Sequence, residues 1–113
     1  MKADSNAEQL SSQPPAPQTA IRVTLLMMVS EAAAGQFFEG LRQLIKETQS
    51  APGCLSVRAM REEAYSSTVL FVEQWASKQA FNDYIGWRTE RGDMQAIAQV
   101  LTERQQIRTW LSA

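Results

Sequence analysis

From residue 20 onward, apolar positions recur with periods that separate strands from helices. Ile21, Val23, Leu25, Met27 and Val29 fall on one side of an extended chain and Arg22, Thr24, Leu26 and Met28 on the other. The spacing predicts a strand over 21–29 with one dry face and one mixed face. Such a strand fits a sheet covered by helices on one side and by something less hydrophobic on the other. The period changes over 35–49, where Phe37 or Phe38, Leu41, Leu44 or Ile45, and Thr48 follow three-and-four spacing, an amphipathic helix. Pro52-Gly53 ends it, since Pro cannot continue a helix and Gly tolerates the reversal. Alternation returns over 54–61, with Leu55, Val57 and Ala59 opposite Ser56, Arg58 and Met60. A polar hairpin loop at 62–67 leads into a third strand over 68–76. Ser77 is a fitting N-cap for a helix to about residue 85. Gly86 and Gly92 then bracket an irregular link rich in Trp and Arg. Asp93 caps a short helix in which Met94, Ile97, Ala98 and Leu101 face the core. Over 105–111 a fourth strand sets Ile107, Thr109 and Leu111 against Gln106, Arg108 and Trp110.

The predicted order is β-α-β-β-α-(α)-β. This is the ferredoxin-like α+β arrangement, a four-stranded antiparallel sheet with its helices on one face. The opposite face, with Leu26, Met28, Met60 and Trp110 among Arg22, Thr24, Arg58 and Arg108, is too apolar to sit in water. A contiguous patch of that character marks an interface, and sheet-to-sheet homodimerisation is its simplest cover. Residues 1–19 are polar and rich in Ser, Gln, Ala and Pro, a composition expected of a flexible arm preceding a domain over 20–113. They lack the apolar stretch of a signal peptide.

Composition narrows the function. The chain has 113 residues, the size of one domain, and a formal net charge of −1. That balance argues against nucleic acid as a partner, since affinity for phosphate backbones needs clustered Lys and Arg. No run of about 18 apolar residues predicts a membrane span. A single cysteine forms no internal disulfide, so a cytoplasmic location is expected. Most informative, the chain contains 0 histidines. Ser-His-Asp and Cys-His nucleophiles, the usual His-containing zinc sites and His-ligated haem are therefore excluded. Chemistry here must run on Tyr, Arg, carboxylates, amides, Trp or the substrate's own reactivity.

Three segments carry a family resemblance. Gln49-Ser50-Ala51-Pro52-Gly53-Cys54-Leu55 is similar to the P-G-C-L lead into strand two of the antibiotic biosynthesis monooxygenase domain family. Glu73-Gln74-Trp75 is similar to its E-x-W signature, and Trp75 to Phe81 to its W-x-S-x-x-A-F helix start. Segment order and spacing agree over residues 20 to 112. The resemblance implies a dimeric α/β barrel and a monooxygenase acting on a phenol, anthrone or quinol, with no metal or flavin cofactor. Where the family commonly carries a His nine residues after the Trp, this chain has Tyr84, and haem-degrading relatives of the fold need a His to hold iron.

Cofactor-free oxygenation asks for an apolar cavity, a hydrogen-bonding partner for a substrate anion, and exclusion of water. Family members acting on polycyclic phenols use Trp, Tyr, Asn and Arg around the ring system, which points to Trp75, Tyr84 and Arg88 as catalytic candidates. Glu73, Asn82, Phe81 and Trp87 are the substrate-binding candidates, in a pocket expected between helices and sheet. Each also has a plainer reading. Trp75 either donates its indole N–H to a substrate oxygen or fills the sheet–helix gap. Tyr84 and Arg88, spaced i,i+4, either form a phenol activated by a guanidinium or part company, with Arg88 on a carboxylate such as Glu90 or Asp93. Glu73, an acid among apolar neighbours, is either the structural partner of an Arg or a proton acceptor. Asn82 points to substrate or to solvent, and Trp87 is a pocket lid or packs on the first helix. Cys54 reads as a small buried hydrophobe. The Met27-Met28-Met60 set reads as interface filler rather than a binding box, and Glu62-Glu63 lacks the further oxygens of a metal site. A binding protein without catalysis, and a cyclase or isomerase using Tyr84 and Glu73, remain alternatives on the same fold.

Overall fold

A computed structural model describes residues 19–113; the arm read over 1–19 lies almost wholly outside the described residues. The chain runs β1 (Ile21–Met28), α1 (Glu31–Gln49), β2 (Cys54–Arg61), β3 (Thr68–Trp75), α2 (Lys78–Glu90), α3 (Asp93–Val100) and β4 (Gln106–Trp110). The strands form one antiparallel sheet in the order β2-β3-β1-β4. The α+β class and element order are those the periodicity predicts.

Strict alternation along the two central strands builds the core. Ile21, Val23, Leu25 and Met27 of β1 and Val69, Phe71 and Trp75 of β3 are buried on the helix side, with Phe37, Phe38, Leu41, Leu44 and Ile45 of α1 packed over them. The other side carries Leu26, Met28, Leu70, Val72 and Met60, with no helix over them among the described residues.

Five local expectations are corrected. α1 begins at Glu31, not at residue 35, because Ser30 caps it: its side chain accepts from the Ala33 amide at 3.3 Å. The Ala32–Ala34 run has no apolar period, so periodicity could not place the helix start there. α2 continues through Gly86 to Glu90, so the link expected between Gly86 and Gly92 is regular helix and carries Trp87 and Arg88 on defined faces. In β2 a bulge between Cys54 and Ser56 skips Leu55, leaving it 56% exposed while Cys54, Val57 and Ala59 stay on the helix side. β4 lies beyond the helix layer, and all five of its residues are exposed. Ala98 of α3 also faces outward.

Candidate functional site

An aromatic row runs from the end of β3 along α2. Trp75 is fully buried, and its ring meets Phe81 at 5.7 Å and Tyr84 at 4.9 Å between centroids. Tyr84 in turn lies 6.2 Å from Trp87, at the surface. Ser77 launches the helix that spaces them, accepting from the Ala80 amide at 3.0 Å. The turn before β2 is pressed against the same helix. Gly53 has φ +84°, and a Cβ placed on it would stand 2.5 Å from the Ala80 Cβ. Its carbonyl accepts from the Ala76 amide at 2.8 Å. The left-handed backbone and the close approach both demand glycine, a physical reason for the Pro-Gly-Cys turn.

Arg88 is the electrostatic centre. Its side chain is 3% exposed, and all five of its N–H groups are used. Nε donates to Tyr84 Oη at 2.8 Å. One terminal nitrogen donates to Glu47 Oε1 and Asp93 Oδ2, each at 2.8 Å, and the other to the Leu44 carbonyl and Thr48 Oγ1, each at 3.3 Å. Thr48 Oγ1 donates onward to the Leu44 carbonyl at 2.9 Å, so the 2.8 Å contact between Tyr84 and Thr48 has the phenol as donor. One guanidinium thus ties α1, α2 and the start of α3 together. The geometry combines parts of the two alternatives: Arg88 stays on the Tyr84 hydroxyl and also meets carboxylates, Glu47 and Asp93, not Glu90.

The charges respond accordingly. Hydrogen bonding from Arg88, with help from Gln43, holds the Glu47 carboxyl below its ordinary range. Burial raises Tyr84 against its bonds to Thr48 and Arg88, so it is a neutral phenol at physiological pH. Burial also raises Glu73, against the Trp75 hydrogen bond and the field of Arg88. Trp75 Nε1 donates to Glu73 Oε1 at 2.9 Å, so that N–H is engaged inside the protein and not at a substrate. Burial, and then the Glu73 charge, push the Cys54 thiol up to about 11.

Two spaces flank Tyr84. Between helices and sheet, where the pocket was expected, lies a hollow of about 20 Å³ bordered by Phe71, Glu73, Tyr84, Arg88 and Gln105. That is room for about one water molecule. The core has filled the rest. The larger space is outside, a groove of about 730 Å³ between the C-terminal half of α1, the 50–53 turn and α2. Its walls include Lys46, Pro52, Ala80, Tyr84, Trp87 and Arg91.

The predicted residues therefore separate. Tyr84 borders both spaces; Trp87, 40% exposed, forms part of the groove wall. Glu73 and Arg88 border only the hollow, and Trp75 and Phe81 are packed behind them. Asn82 is exposed and borders neither. The sequence reading missed Glu47 and Gln105 as site residues and read Thr48 only as part of the helix stripe. Glu47 and Thr48 sit three and four residues after Leu44, on the stripe that meets the sheet, and that spacing was the available signal. Among the described residues no group of three His, Cys, Asp or Glu side chains gathers as metal ligands, and no helix is long and apolar enough to cross a membrane.

Comparison with curated proteins gives no match. Solved structures share the fold at low identity. A conserved protein of Methanosarcina mazei Go1 aligns with a TM-score of 0.75 at 18% identity, covering 86% of this chain and 96% of that one. An antibiotic biosynthesis monooxygenase aligns at 0.75 and 14%, covering 82% and 98%. SnoaB, a cofactor-independent oxygenase from Streptomyces nogalater, aligns at 0.70 and 13%, covering 82% and 92%. The family model described as antibiotic biosynthesis monooxygenase matches residues 20–86, which span β1 through most of α2 and all three motif segments. On that match the chain belongs to the antibiotic biosynthesis monooxygenase family.

Proposed function

We propose that the protein is a monooxygenase acting, without metal or flavin, on an aromatic small molecule of phenol, anthrone or quinol type. Family membership across residues 20–86 carries the reading, and a groove of about 730 Å³ beside Tyr84 and Trp87 gives a ring system of that size a place. SnoaB, of the same fold, is a cofactor-independent oxygenase.

The chemistry balances without an external reductant. A substrate carbon carrying two hydrogens loses one proton, and the electron-rich anion passes an electron to dioxygen. Recombination forms a C–O–O bond; O–O cleavage with loss of the second hydrogen leaves a carbonyl and one water. Ala51, Pro52, Ala76 and Ala80 present apolar surface in the groove, and Lys46 and Arg91 on its walls favour the substrate anion. Tyr84 and Trp87 are the candidates for direct contact. Arg88, Trp75, Phe81 and Glu73 act through Tyr84 by fixing its ring and hydroxyl. The open sheet face around Leu26, Met60 and Trp110 pairs with a second copy of the chain in this reading.

One observation favours a second reading, a binding protein without catalysis. All five Arg88 N–H groups and the Trp75 N–H are already satisfied, so no buried donor among them is free for an oxyanion. Incubation with anthrone and quinol panels under isotopically heavy dioxygen, read by mass spectrometry, decides. Incorporation of one labelled oxygen with loss of two hydrogens supports the oxygenase. Product of unchanged mass, or short by water, points to a cyclase or isomerase. A raised melting temperature with no product leaves only binding.

A further inference from the structure

The aromatic row connects an exposed indole to a buried one whose N–H is held by a carboxylate. Of the chain's three tryptophans and two tyrosines, Trp87, Tyr84 and Trp75 lie in this row. Trp87 is 40% exposed on the groove wall, and Trp75 is fully sealed. The Tyr84 ring lies between them, tilted by 34° to Trp87 and by 36° to Trp75. The charges along the row are graded. The guanidinium carbons of Arg88 and Arg91 stand 5.0 and 4.5 Å from the Trp87 ring centre, so removing an electron from that indole works against two cations. Trp75 Nε1 donates to Glu73 Oε1 at 2.9 Å. A carboxylate there favours positive charge on the ring. It also takes the N–H proton once an electron leaves, because an oxidised indole is a far stronger acid than a neutral one. Burial raises Glu73 and so makes it a better proton acceptor. Tyr84 has no such outlet. Its Oη accepts from Arg88 and donates to Thr48 Oγ1, whose own proton is on the Leu44 carbonyl. With no base for its proton, Tyr84 is a bridging ring and not a stopping point.

We propose that Trp87, Tyr84 and Trp75 form a one-electron relay that draws an oxidising equivalent from the groove to Trp75, where Glu73 accepts the proton. The oxidant is an oxygen-centred radical, the product of homolytic O–O cleavage in a peroxide held in the groove. That source rests on the oxygenase reading; the relay itself does not. An electron leaves Trp87 for the radical, which takes a proton from solvent and becomes an alcohol. Trp75 then refills Trp87 through the Tyr84 ring, and its N–H proton passes to Glu73. In sum, one oxygen radical, one solvent proton, the Trp75 indole and the Glu73 carboxylate give one alcohol, a neutral Trp75 radical and a protonated Glu73. The relay clears a reactive by-product from the groove and leaves the unpaired electron on a ring with no exposed surface. The other exposed oxidisable rings, Tyr65 and Trp110, lie outside the row, and the Trp110 N–H meets a neutral hydroxyl, Thr24 Oγ1, at 2.9 Å.

The experiment is flash-quench oxidation of the full chain carrying Tyr65→Phe and Trp110→Phe, which leaves Trp87 as the one exposed indole. The oxidant is a photogenerated ruthenium(III) polypyridyl complex free in solution. No substrate is involved, so the relay and the oxygenase reading fail separately. Transient absorption distinguishes neutral from cationic indole radicals, and electron paramagnetic resonance with ring-deuterated tryptophan identifies the radical as an indole. The expected product is a neutral indole radical that forms more slowly in heavy water, because the N–H proton moves. Trp87→Phe, which removes the entry point, loses the signal. Glu73→Gln still accepts from Trp75 but takes no proton; it lowers the neutral radical by about tenfold, the worth of one hydrogen bond to a charged group, and leaves a cationic indole radical in its place. A parent radical that stays cationic, or that settles on Tyr84 or on the Cys54 thiol, overturns the proposal. So does an undiminished neutral radical in folded Trp87→Phe or folded Glu73→Gln.

Discussion

Replacing Arg88 with Met separates an architectural clamp from a catalytic cation. Met keeps much of the stem but removes five N–H donors from a side chain that is 3% exposed. The groups left behind decide the cost. Tyr84 Oη retains Thr48, and the Leu44 carbonyl retains the Thr48 hydroxyl, so neither is orphaned. Glu47 and Asp93 lose a cation at 2.8 Å, but their side chains are 26% and 23% exposed and can take up water. Removing one partner of a fully buried ion pair costs roughly 3–5 kcal/mol, and the partial hydration here puts Arg88→Met near the lower end, about 3 kcal/mol. For a domain of this length each kcal/mol is worth roughly 4–8 °C, so the melting temperature falls by on the order of 15 °C. Urea unfolding followed by tryptophan fluorescence measures it directly. Glu47→Gln and Asp93→Asn, which keep an acceptor, each cost about 1 kcal/mol. Because the network is buried, the loss in Arg88→Met persists in molar salt, where a surface ion pair would be screened. A loss below about 1 kcal/mol, or one abolished by salt, would refute the view that Arg88 joins the three helices.

Glu73→Gln tests the sign of a buried carboxyl. Burial raises the folded pKa above 4.5, so the charged form opposes folding at higher pH and the penalty lifts as pH falls toward that value. Glu73→Gln, which still accepts from Trp75, is therefore more stable than the parent at neutral and higher pH, with the difference shrinking as pH falls into the ordinary carboxylate range; calorimetry showing the reverse trend contradicts the assignment. Gly53→Ala meets φ +84° and the Ala80 Cβ at 2.5 Å, and loses roughly 2–4 kcal/mol by chemical denaturation. A neutral result would show that the turn relaxes away from α2. Leu26→Glu, on the open sheet face, yields monomers in sedimentation velocity if that face is where two copies meet, whereas an intact dimer would move the contact elsewhere.

Much of the fold was legible because period-two and period-3.6 patterns report which side of an element is buried, and β1, β3 and α1 keep those patterns without interruption. The pattern fails where one local event outweighs it. The bulge at Leu55 inserts a residue that no alternation announces, and α2 runs through Gly86 because Tyr84, Ile85 and Arg88 on either side of it are held by packing and hydrogen bonds. β4 alternates as a core strand should and is exposed on both sides, because helix placement is a property of the whole layer.

For the site, the sequence by itself determined the chemical vocabulary: no histidine, the Trp75, Tyr84 and Arg88 series, and an acid beneath them. Spacing along one helix was enough to bring Tyr84 within reach of Arg88, since i and i+4 share a face whatever surrounds them. Only the tertiary structure decided what those groups bond to. Glu47 is 41 residues from Arg88, and Glu73 and Gln105 meet at one hollow from different strands and loops. Hydrogen-bond saturation and cavity volume arise from the packing of distant segments, and no local period encodes them.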